Sequence, residues 1–135
     1  AWELGSLMVA EMRRRDLKIC VALWSLTGYV LFQYAGESTT VNNQNWMERK
    51  FNAVRLMERS SLASRAVAEM TGEGVEECGL SSREYVFCGG GFPIRLKSGE
   101  LVAVALASGL PDVQDHGFLI DCLAKYLDVE APVIE

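Results

Sequence analysis

Two short stretches constrain this chain more than any others. The first is Cys88-Gly-Gly-Gly-Phe-Pro-Ile-Arg95; the second is Ala107-Ser-Gly-Leu-Pro-Asp-Val-Gln-Asp-His116. Between them the pattern predicts a β-hairpin: Phe92 to Lys97, a turn at Ser98-Gly99, then Glu100 to Ala107. Paired antiparallel strands put the start of one beside the end of the other. Bare backbone at Gly89, Gly90 and Gly91 is therefore expected beside Ser108 and Gly109, and that juncture is the best candidate site. Three consecutive glycines also have a purely structural explanation, a tight entry into a strand.

The rest of the chain orders itself around that hairpin. Ala1 to Arg15 reads as an amphipathic helix with Leu4, Met8 and Met12 on one stripe and three arginines at its end. Lys18 to Leu26 is almost wholly apolar, a strand covered on both faces. Thr27-Gly28 turns into a second strand, Tyr29 to Ala35. A helix from about Gln44 to Arg59 follows, capped by Asn42 or Asn43, burying Met47, Phe51 and Val54. Ser61 to Thr71 is a further helix with Leu62, Ala66 and Met70 as its expected inner stripe and Val67 alongside. Ser81-x-x-Glu84 has capping-box spacing and predicts a short helix before the glycines. Pro111 opens the last helix, whose core face is Leu119, Ile120, Leu123 and Tyr126, with His116 turned inward beside them. The order α-ββ-αα-ββ-α predicts an α/β (α+β) domain: a four- to five-stranded antiparallel sheet with helices on both faces. One domain spans 1–135, with a core over 1–127 and a tail over 128–135.

Composition excludes several functions. A net charge of −5 over 135 residues argues against general nucleic-acid binding. No apolar run reaches the ~18 residues that a membrane span needs. The chain shows no charged-then-apolar leader, and because it starts at Ala1 rather than Met, the natural start is expected to be missing or processed. Cys20 and Cys122 fall in apolar stretches and no Cys-x-x-Cys pair occurs, the pattern of reduced thiols in a cytoplasmic protein. One histidine and scattered cysteines match no common zinc spacing, so no metal site is expected. Neither a phosphate-binding loop nor a dinucleotide fingerprint is present.

Individual residues admit two readings each. His116 is the one side chain whose unperturbed pKa lies near neutrality; it is either a satisfied core histidine or a general base oriented by Asp112. Arg49 and Lys50 are either a solvated pair or a clamp for an anion. Cys88 is a structural cysteine or a nucleophile without a visible base.

Taken together, Gly89-Gly-Gly-Phe-Pro-Ile-Arg95, Ser108-Gly-Leu-Pro111, Asp115-His116, Ala1-Trp-Glu-Leu-Gly5 and Asn45-Trp-Met-Glu-Arg-Lys50 resemble the haem-degrading HbpS/GlcG-like family, in one of its uncharacterised branches. The resemblance runs from Ala1 to about Leu127. It implies an antiparallel sheet flanked by helices, a homo-oligomer with a symmetric dimer favoured, and haem or a corrinoid as cofactors of relatives. That branch often has His where this chain has Cys88.

Three functions follow as expectations. The first is a cytoplasmic small-molecule-binding domain for an anionic ligand, its site lined by Gly89, Gly90, Gly91, Phe92, Pro93, Ser108, Gly109 and His116, with Arg49 and Lys50 supplying charge. The second is a small enzyme using His116 as general base. The third is an assembly module without catalysis. Haem binding is expected to be weak or absent.

Overall fold

The computed structural model describes residues 1–128; the expected tail beyond Asp128 lies outside the described residues. Eight elements follow the expected order: α1 (Trp2–Arg14), β1 (Cys20–Ser25), β2 (Val30–Ala35), α2 (Val41–Met57), α3 (Ser61–Thr71), β3 (Gly91–Arg95), β4 (Leu101–Ser108) and α4 (Asp112–Leu127). The four strands form one antiparallel sheet in the order β2-β1-β4-β3.

β1 and β4 are the central strands, and their alternate residues feed two cores. Val21, Leu23, Ala105 and Ala107 pack with Leu4, Met8 and Met12 of α1 and with Phe118, Leu119 and Cys122 of α4. Cys20, Ala22, Trp24, Val104 and Leu106 face the other way, onto Met47, Phe51 and Val54 of α2. The doubly apolar first strand and the inner stripes of α1 and α2 are thus as expected.

Several local expectations are corrected. α2 begins at Val41, three residues early, because Thr40 rather than Asn42 or Asn43 is its cap. The Thr40 hydroxyl accepts from Asn42 N, and Asn43 Oδ1 in turn accepts from Thr40 N at 3.0 Å. The inner side of α3 is Ser61 and Ser64, not the apolar stripe; Met70 is 86% exposed. Ser61 faces inward because its hydroxyl bridges the main chain of Gly91, accepting from its N–H at 3.0 Å and donating to its carbonyl at 3.3 Å. Ser81 to Glu84 forms a single turn rather than a helix. On α4, Leu119 is buried as expected, but Tyr126 is exposed, and Phe118 and Cys122 take the deep positions.

α1 and α4 are joined by a buried carboxylate. Glu11 accepts from Arg14 at 2.9 Å and Arg15 at 3.1 Å, and pairs with Lys125 of α4. The Arg14 bond first, then Lys125, lowers its pKa to about 2, with burial opposing. A lowered pKa stabilises the fold above the unfolded value, and that stability drains away as pH falls from about 4.5 toward 2. Arg14 and Lys125 are more than half exposed and screened, so the contribution should be only about 1–2 kcal/mol. Urea titrations at pH 6 and pH 2.5 should show Glu11→Gln losing that much less stability on acidification than the parent. Equal losses in the two proteins would contradict the assignment.

Candidate functional site

A cleft of about 470 Å³ opens where β4 ends and β3 begins, a size typical of small-molecule sites. Asn42, Asn43, Trp46 and Lys50 of α2 form one wall. Val86 and Cys88 of the glycine-rich approach and Arg65 of α3 form another. Ser108, Gly109 and Leu110 of the β4–α4 turn make the lip, and Asp112 and Asp115 of α4 complete it.

The two stretches meet as expected: Gly91 pairs with Leu106, and Ala107 N donates to the Gly90 carbonyl at 2.8 Å. The three glycines, however, lie behind the cleft and let helices approach. A Cβ on Gly89 would run into the Asp112 carbonyl at the start of α4. On Gly90, where φ is +121°, it would lie 2.5 Å from both Ala107 O and Lys50 Nζ. On Gly91 it would meet Val54 of α2 and Ser61 of α3.

That close approach admits a buried ion pair. Lys50 and Asp115 are 3% and 1% exposed. Lys50 Nζ donates to Ala107 O at 2.9 Å and to Asp115 Oδ2 at 3.2 Å; Asp115 Oδ1 accepts from Leu110 N at 3.1 Å. Burial pushes the Asp115 carboxyl up, with Lys50 and the Leu110 amide pulling the other way. The other cation–anion contact in the cleft joins Arg65 to Asp112, whose carboxyl is held below its ordinary value by Arg65 against the opposing effect of burial.

Of the residues expected in the site, Lys50, Ser108 and Gly109 line the cleft. Arg49 is not in the lining; its guanidinium lies 4.5 Å from the centre of the Trp46 ring, and its Nε is buried without a partner among the described residues. Phe92 and Pro93 are in β3, opposite Ala105 and Val104. His116 faces inward as expected, but away from the cleft lining, with its ring 5.8 Å from Phe92. Asp112 does not orient it: that carboxylate goes to Arg65, and His116 Nδ1 has no partner among the described residues. Burial lowers the His116 pKa, favouring the neutral ring. Burial also pushes the Cys88 thiol up, which disfavours the thiolate a nucleophile needs.

Sequence reasoning missed Asn42, Asn43, Trp46 and Arg65. The first three were within reach, since Asn43, Trp46 and Lys50 fall at i, i+3 and i+7 on one helix face, and Asn42 lies at i−4 from Trp46 on the same side of the helix. Arg65 had no such signal.

Comparison with known proteins agrees with this architecture. The model of the family described as haem degrading protein HbpS-like matches residues 1–124. The chain belongs to the HbpS-like family. Within it, the chain is 36% identical over 135 residues to a UPF0303 protein of Serratia proteamaculans, covering 99% of this chain and 83% of that protein. A UPF0303 protein of Azotobacter vinelandii is 37% identical over 129 residues, covering 95% and 77%. Among solved structures, the Ybr137w protein superimposes with a TM-score of 0.84 at 22% identity, covering 94% of this chain and 75% of that one. PduOC in its complex with haem gives 0.69 at 14% identity, covering 90% and 87%. At these identities the two structures establish the fold alone.

Haem iron takes an axial His, Cys, Met or Tyr. Among the residues lining the cleft only Cys88 is of these types. The lining thus offers a haem iron one thiol and no imidazole, thioether or phenol.

Proposed function

We propose that this chain is a small-molecule-binding domain of the HbpS-like family, and that its ligand enters the Trp46–Ser108 cleft with an anionic group leading. One observation carries the reading. Lys50 lines the cleft and its ammonium has three N–H donors, of which Ala107 O and Asp115 Oδ2 take two. In this reading the third meets an acceptor on the ligand. Ser108 and the amides of Asn42 and Asn43 offer neutral hydrogen bonds around it, and the two carboxylates of the lining, Asp112 and Asp115, are each paired with a cation, Arg65 and Lys50. Because α2 starts at Val41, Lys50 is in its third turn and is not set against the helix dipole.

Native mass spectrometry of freshly purified protein should show a small non-covalent mass that Trp46→Ala and Ser108→Val both diminish. An adduct indifferent to both substitutions would refute the cleft as the site. The same spectra read subunit number. We propose a homo-oligomer, a two-fold dimer first, working in a reducing cytoplasm that suits its four unpaired cysteines. Sedimentation as a monomer at micromolar concentration would overturn the dimer. The reading of His116 as a general base gains nothing from its placement.

Haemin titration should give no sharp Soret shift at one haem per chain. A stoichiometric shift abolished by Cys88→Ala or His116→Ala would overturn this expectation.

A further inference from the structure

Lys50 and Asp115 do more than neutralise each other. Lys50 reaches from α2 across the bare backbone of Gly90 and binds Ala107 O, the carbonyl through which β4 enters the lip. Asp115 reaches from α4 and binds Leu110 N, where the chain leaves the lip. The pair thus holds both ends of a three-residue segment, Ser108–Gly109–Leu110, all of which lines the cleft. Gly109 between them has φ +145°, so this backbone is not one that neighbouring side chains would adopt unaided. Asn43 adds only long contacts to Ser108, at 3.4 and 3.5 Å.

We propose that Asp115 is a positioning residue of the cleft: reaching across from α4 beside Lys50, its carboxylate sets the Ser108–Leu110 lip through Leu110 N, and through the lip the hydrogen-bonding groups that a ligand meets. This rests on the reading of the cleft as a binding site, but its test needs no ligand. Cys88 lines the same cleft and reports access to it, exposed Cys78 is an internal reference, and buried Cys20 and Cys122 report global opening.

Two double variants separate positioning from bulk stability. In Lys50→Met/Asp115→Asn both charges are gone, but the asparagine oxygen still accepts from Leu110 N. In Lys50→Met/Asp115→Val both charges and that acceptor are gone. Neither leaves a buried charge unpaired, so both should fold. Both also lack the Lys50 charge that bears on the Cys88 thiol, so they are compared with each other. Iodoacetamide labelling resolved by peptide mass should show the Cys88/Cys78 rate ratio about tenfold higher in the valine variant than in the asparagine variant, as expected for loss of a hydrogen bond that holds a local segment. Hydrogen exchange at the Leu110 amide should rise in parallel. Equal ratios and equal Leu110 exchange in the two variants overturn the proposal. So does a rise at Cys88 matched by Cys20 and Cys122, since that is global unfolding. A positive labelling result with no co-purifying ligand would leave the positioning role standing and sink the binding function instead.

Discussion

Gly90→Val should destabilise the chain by about 2–6 kcal/mol, enough to remove much of the stability of a domain this size. Two costs add. At φ +121° a β-branched residue is strained by about 1–3 kcal/mol. Its Cβ would also lie 2.5 Å from the Ala107 carbonyl and from Lys50 Nζ, and 3.2 Å from Asp115 Cβ, so the ion pair would have to move. Gly99→Val isolates the first cost: Gly99 has φ +92°, but nothing lies within 4 Å of its added Cβ. It should lose only the strain, about 1–3 kcal/mol. Glu76→Ala, at an exposed position, should change stability by about 0.5 kcal/mol or less. Urea unfolding of the three variants should rank them in that order. If Gly90→Val melts with Gly99→Val, the close approach at Gly90 is not a constraint.

How much of this was legible in the sequence depends on the range of the interaction. Leu4, Met8 and Met12 announced their face because a helix repeats every 3.6 residues, and β1 announced burial on both sides by having no polar alternation. The meeting of Gly90 with Ala107 followed from hairpin geometry. α3 misled because periodicity weighs apolar stripes, whereas its orientation is set by the Ser61 hydroxyl on Gly91, 30 residues away. The site misled in the same manner. Lys50 was visible as a cation, but its partner lies 65 residues on, and Arg65 meets Asp112 across 47. No local pattern encodes those pairings, so a charge that closes a structure looked like one that awaits a ligand. Lys50 spends two of its three donors on the fold.

Lys50→Met should be the most damaging single change in the cleft, costing about 3–5 kcal/mol, because it strands a buried carboxylate. Methionine matches the length of the lysine stem, so the loss is electrostatic rather than a cavity. The penalty should depend on pH with a definite sign. The folded-state pKa of Asp115 is already raised by burial, and Lys50 is the leading influence that lowers it. Without Lys50 the carboxyl rises further and takes up a proton on folding. A raised carboxyl pKa favours the fold below the unfolded value of 3.8, and that advantage is lost as pH climbs through the raised folded value. Lys50→Met should therefore fall further behind the parent as pH rises from about 5 to 8, the opposite trend to that expected from Glu11. Adding Asp115→Asn should recover most of the loss at pH 8, since no charge is then left buried alone. Thermal melts of the three proteins at pH 5 and pH 8 decide the matter. A Lys50→Met protein that melts with the parent at pH 8 would mean that Asp115 finds water or another donor, and that the pair does not bind the two helical layers together.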